Sequence, residues 1–131
     1  MNGFYPEGKL YNTQENKRYM LSPATLLDAQ IRGVVLEAPV IMCDTDHNLI
    51  VNLGCMRGII PRNEGAIGIE SGATRDIALI SRVGKPVCFI ITEIKSDEDG
   101  ELYALLSRKK AQTLCKSYIE AYGFSGILFA S

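Results

Sequence analysis

The sequence predicts a mainly β chain, a small five-stranded Greek-key barrel with a short helix at each end. Three observations lead there. Strand-sized apolar segments follow one another from Gly33 to Leu106, each bounded by Gly, Pro, Asp or Asn. The connection between the third and fourth segments is longer than the others. Helical spacing of apolar residues appears only outside these segments. Spacing alone leaves the kind of small barrel open, an SH3-like one included.

Residues 1–21 are polar and carry Gly3, Pro6 and Gly8, which reads as an irregular arm that Tyr5, Tyr11 and Tyr19 could dock onto the domain. Ser22 and Pro23 open a short helix, because Ser caps helix N-termini and Pro fits the first turn. Leu26, Leu27 and Ile31 give it a partial apolar stripe, and Gly33 ends it. Gly33 to Cys43 is the first strand. Asp44 to Asn48 is a turn, since Asp and Asn side chains bond to their own local backbone. Leu49, Val51 and Leu53 alternate with Ile50 and Asn52, the pattern of a half-buried strand with Asn52 on the outer face. After Gly54, Met56 to Pro61 is a third strand.

Residues 62–76 carry Gly65, Gly68 and Gly72 and read as a connection with room for one helical turn, and Asp76 to Ser81 as a short extended piece. Val83 to Pro86 is a loop. Val87 to Lys95 is the strongest strand signal in the chain. Asp97 to Gly100 is a hairpin turn, and Glu101 to Leu106 returns. Ser107 then caps a helix in which Ala111, Leu114, Cys115, Tyr118, Ile119 and Tyr122 recur at helical spacing up to Gly123. The tail from Phe124 to Ala130 is short and apolar. The resulting organisation is an arm and helix over 1–32, a barrel over 33–108, and a helix and tail over 109–131.

The 131 residues suit one compact domain with extensions, and 47% hydrophobic content supplies a core. No apolar run approaches the ~20 residues needed to span a bilayer, and Met1 to Tyr11 lacks the apolar segment of a secretory signal. The four cysteines form no close pair and are expected as reduced thiols in a cytoplasmic protein. Net charge is −1. Nine basic residues lie between Arg57 and Lys110 against eight acidic ones. A basic face is therefore a matter of distribution rather than of total charge.

Cys43, Asp44, Asp46 and His47 carry metal-binding side chains, but no second ligand cluster follows at zinc spacing, so no metal site is expected. No orienting partner accompanies Cys43 and His47 as a nucleophile pair. Gly65 to Gly72 matches no phosphate-cradling spacing. The chain is thus read as a non-enzyme without cofactor.

From Gly33 to Gln112, about 80 residues, five pieces occur in order: Gly33-Val34-Val35, Leu49 to Gly54, Arg57 to Arg62, Val83 to Val87, and Leu105 to Lys109. In this order and spacing the stretch resembles the RNA-binding repeat of ribosomal protein S-one. The arm, the segment Ile77 to Lys85 and the exit helix are similar to bacterial ribosomal-S-one-like proteins, which usually carry a second repeat after that helix. The resemblance implies an oligonucleotide-binding barrel that takes RNA across its second, third and fifth strands. It places the two base-stacking positions on His47 and Ile50, the histidine position on Pro61 beside Arg62, an acid near Asp97, and a basic position near Tyr103. Ile50 cannot stack, and stacking contributes ~1–3 kcal/mol per base.

The implied function is a single-stranded RNA-binding module in translation or RNA metabolism, weak, salt-sensitive and sequence-tolerant, with the ribosome or another protein as a further partner and no membrane. The candidate RNA-binding residues are His47, Ile50, Arg57, Arg62, Lys85, Tyr103 and Arg108, with Arg62 and Arg108 nearest the binding strands. Each also has a plainer reading: His47 as a solvated turn residue, and the cations as surface charge. The alternative is a protein-interaction or structural barrel that has lost RNA binding, with an apolar patch around Ile50 and Ile60.

Overall fold

The computed structural model describes residues 8, 10–66, 69, 72 and 75–114. The expected docking of Tyr5, the far half of the exit helix from Cys115 through Tyr118, Ile119 and Tyr122 to Gly123, and the tail lie outside the described residues.

Five strands close into a barrel in the order β1-β2-β3-β5-β4: β1 Leu36–Cys43, β2 Leu49–Asn52, β3 Arg57–Ile60, β4 Pro86–Ser96 and β5 Leu102–Ser107. This is the order of an oligonucleotide-binding barrel. β4 closes it because it is long. Its first half pairs antiparallel with β1, from Leu36↔Phe89 to Pro39↔Pro86, and its second half pairs antiparallel with β5. β3 and β5 are parallel neighbours. A register shift between Val40 and Met42 bends β1 where it passes from β4 to β2.

The alternation read in the second strand holds: Leu49, Val51 and Leu53 are buried, while Ile50 is half-buried and Asn52 exposed. Phe89, Leu36, Ile60 and Leu106 fill the barrel with them, each at most 1% exposed. Asp44 closes its turn as its chemistry predicts. Its Oδ1 accepts from the N–H groups of Asp46 and Asn48, both at 2.9 Å, and His47 takes a left-handed φ of 65°. In the β4–β5 hairpin Asp97 does the same for Asp99 and Glu101.

The flanking helices depart from the sequence reading in three places. First, Gln14–Tyr19 is a helix, α1, not irregular arm. Thr13 caps it by accepting from Asn16 N, Glu15 lies in its first turn, and Lys17 and Arg18 lie in its last. These charges suit the helix dipole. Second, α2, Pro23–Arg32, starts and stops where Ser22 and Gly33 predict, with a capping box between Ser22 and Thr25. It buries Leu26 and Ala29, however, and leaves Leu27 and Ile31 exposed. Third, Asp76–Ile80 is a helix, α3, rather than an extended piece. A single helical turn suffices to bury Leu79. Ser107 caps the exit helix as expected, accepting from Lys110 N at 3.0 Å, and residues 108–114 are helical.

One arm contact was invisible in the sequence. Asn16, 4% exposed, accepts from Glu37 N at 2.7 Å and donates to Glu37 O at 2.9 Å. Its amide thus satisfies β1 as a partner strand would.

Candidate nucleic-acid interface

The register of the strands lays out an outer face in two rows. Ile50 stands opposite Ile59 on β3, and Ile59 opposite Leu105 on β5; Glu93 of β4 follows. In the second row Asn52 stands opposite Arg57, Arg57 opposite Tyr103, and Tyr103 opposite Lys95. The first row is therefore largely apolar and half-buried, the second polar and largely exposed. Met42, opposite Ile50 on β1, and its neighbour Ile41 extend the apolar side and are about half exposed, at 49% and 55%.

Arg57 makes two contacts on this face. Its guanidinium carbon lies 5.4 Å from the centre of the Tyr103 ring, and its Nη2 lies 3.6 Å from Asp97 Oδ2. Both contacts hold the guanidinium over the sheet, where cation–π attraction draws it to the face of the Tyr103 ring. The structure thus brings together Arg57, Tyr103 and the hairpin acid Asp97.

His47 and Arg62 meet at a different point. Asp76, at the start of α3, accepts from Arg62 through Oδ1, at 2.8 Å from Nη2 and 2.9 Å from Nε. Its Oδ2 lies 2.6 Å from His47 Nδ1. The Arg62 hydrogen bond, then that of His47, holds the Asp76 carboxyl below the ordinary carboxylate range. Arg62 is further fixed through its backbone, whose N–H donates to Asn48 Oδ1 at 2.9 Å. Both residues are partly exposed but reach solvent already paired with one acid.

The remaining candidates lie elsewhere. Arg108 is 7% exposed and donates from Nη1 to Gly65 O at 3.1 Å, under the connection that follows β3. It is an interior tie between the exit helix and that connection, not part of the outer face. A Cβ on Gly65 would meet Leu79 at 2.8 Å, so a glycine lets the connection lie close against α3 at this point. Lys85 is exposed but at the opposite end of β4 from Lys95, where its carbonyl accepts from Val40 N. Ile60, expected in an apolar patch with Ile50, is 0% exposed and points into the barrel; Ile59 is its outward neighbour.

Sequence reading missed Asp76, Ile59, Leu105 and Lys95. For the last three the signal was present as strand parity. For Asp76 there was none, because its role depends on α3. Among the described residues no group of three or more His, Cys, Asp and Glu could hold a metal, and no helix is long and apolar enough to cross a membrane. Burial pushes the Cys43 and Cys55 thiols up, away from the thiolate a nucleophile needs.

No family model matches the sequence, and no curated protein matches it. Among solved structures, the chain is similar to the solution structure of GSP13 from Bacillus subtilis, with 22% identity and a TM-score of 0.45. That match covers 61% of this chain and 56% of the other, so the chain spans little more than half of that protein's length.

Proposed function

We propose that this chain is a non-catalytic module that binds single-stranded RNA weakly across β2, β3 and β5, as its resemblance to the S-one repeat implies, with a role in translation or RNA metabolism in the cytoplasm. The observation that carries the reading is the Arg57 guanidinium held over the Tyr103 ring on the outer face of a closed barrel. Single-stranded nucleic acid is taken by such planar groups, on which bases stack irrespective of sequence. The neighbouring Ile50, Ile59 and Leu105 supply an apolar floor for the ribose and base edges. Lys95 adds charge at the β4 side, balanced by Glu93 3.8 Å away. The paired charges argue for low affinity, since counterion release scales with cations free to meet phosphates.

The test is fluorescence anisotropy of a labelled mixed-sequence single-stranded RNA, titrated at low and moderate salt with the chain and with its Arg57→Ala, Tyr103→Ala double variant. Binding that weakens with salt and with the double variant supports the module. No binding at high micromolar protein in low salt removes it. A second reading has its own observation: Ile41 and Met42 are exposed beside Ile50, an apolar margin suited to a protein partner. The absence of RNA binding in low salt would turn the assignment toward that partner.

A further inference from the structure

Resting on the RNA-binding reading, we infer that Asn52 makes this face discriminate between bases by their exocyclic group, preferring keto bases (uracil and guanine) to amino bases (cytosine and adenine). The orientation of the Asn52 amide follows from its surroundings. The Gly54 N–H, a donor only, lies 2.9 Å from Asn52 Oδ1, which fixes the oxygen toward the backbone and assigns the NH2 group of this exposed side chain as the free donor end. Gly54 can turn to make this bond because it occupies a left-handed φ of 89°. Asn52 stands opposite Arg57, which carries the Tyr103 stack. A base lying on that guanidinium therefore presents its edge to a row in which Asn52, Arg57 and Lys95 offer hydrogen-bond donors. The Tyr103 hydroxyl can both donate and accept, and the Asn52 oxygen already accepts from Gly54.

A carbonyl at the pyrimidine 4-position or the purine 6-position accepts from this row. An amino group at the same place sets donor against donor. Uracil and cytosine have nearly the same size and stack similarly, so the comparison reads their hydrogen-bonding edges. There the 4-position changes from acceptor to donor and the ring N3 from donor to acceptor. The Asn52 variant then tells which of the two changes this residue reads. One exposed hydrogen bond supports a preference of about three- to tenfold.

The experiment compares equal-length labelled oligomers of U and of C, and of inosine and adenosine to repeat the contrast in purines, by anisotropy in low salt. The proteins are the wild type and Asn52→Asp. The aspartate keeps an oxygen for Gly54 N–H and replaces the donor amide with a second acceptor. Its negative charge lowers affinity for every oligomer, so the quantity read is the ratio between oligomers. The expected result is a wild-type U-over-C preference of about three- to tenfold, with inosine over adenosine in the same sense, and a ratio in Asn52→Asp that falls to unity or reverses. Equal wild-type binding of U and C, or a preference unchanged in Asn52→Asp, overturns the inference and leaves RNA binding standing. Binding of none of the oligomers by the wild type removes the RNA-binding reading and this inference with it.

Discussion

Arg57 and Tyr103 are direct partners across the parallel β3–β5 pair, and the guanidinium of the first covers the ring of the second at 5.4 Å. Parallel strands bring residues of the same parity side by side, so this contact follows from register rather than from a long reach. Asp97, in the hairpin between β4 and β5, lies 3.6 Å from the same guanidinium. The three residues form one small platform built from separate parts of the chain.

Removing the ring should cost the stacking energy. Tyr103→Ala is expected to weaken single-stranded RNA binding by a factor of roughly 5 to 150, the equivalent of ~1–3 kcal/mol per base. Tyr103→Phe retains the π-face and should stay within about twofold of wild type. Parallel anisotropy titrations of both variants check this. Equal losses in the two would point to the hydroxyl and away from stacking.

Asp76 pairs with both Arg62 and His47, so it competes with any phosphate for them. Asp76→Asn should raise RNA affinity in low salt, by no more than about fivefold given the modest strength of exposed pairs, with the gain shrinking as salt rises. The same variant has a signature in acid. The Asp76 carboxyl is held lower in the folded chain than the value near 3.9 of an unfolded aspartate. Its stabilising contribution is therefore present above that unfolded value and is lost as pH falls through the folded one. Thermal melts from neutral pH into acid should show wild type above Asp76→Asn at neutral pH and the two converging below pH ~4. A gap that persists in acid would mean that the carboxylate charge is not its source.

How much of this was legible in the sequence depends on the range of the interaction. The Asp44 and Asp97 turns, the parity of β2 and both helix caps around α2 arise from groups a few residues apart, and each could be read from side-chain chemistry. The face itself was half legible. Parity placed Asn52 and Tyr103 outward, but pairing Tyr103 with Arg57 requires the β3–β5 register. Arg108 shows what sequence hides. At a helix N-terminus a guanidinium reads as exposed charge opposed to the dipole. Here the carbonyl of Gly65, 43 residues away in sequence, accepts from it. The Asp76 clamp was illegible for the related reason that five residues with apolar character read equally well as a strand.

The two arginines should therefore separate cleanly. Arg108→Ala leaves Gly65 O without this buried donor and is expected to cost about 1–3 kcal/mol of stability, while the folded variant binds RNA as wild type does. Arg57→Ala should do the reverse: its melting temperature changes little, its affinity falls, and the slope of log affinity against log salt loses about 0.7. Chemical denaturation and salt-dependent anisotropy on both variants check the pair. A loss of affinity in folded Arg108→Ala would contradict the interior role assigned to it.

Gly58 couples the core to the face. It stands between Val51 and Ala104 in the sheet, and a Cβ there would come within 2.5 Å of Leu106 Cδ1 and 3.3 Å of Leu53 Cδ1. Leu106 and Leu53 are each 1% exposed, so neither can swing aside into solvent. Gly58→Ala is expected to destabilise by about 1–3 kcal/mol, the usual cost of overpacking. Shortening the obstacle should relieve it: Leu106→Val alone loses stability as a core truncation, but combined with Gly58→Ala it should cost less than the sum of the two single changes, because the residues share one space. Because Arg57 and Ile59 flank Gly58, any backbone shift in the single variant should also lower RNA affinity, and the double variant should recover it. Denaturation midpoints and anisotropy on the four proteins of this cycle measure both effects; strict additivity in stability would place the cost of Gly58→Ala somewhere other than the Leu106 contact.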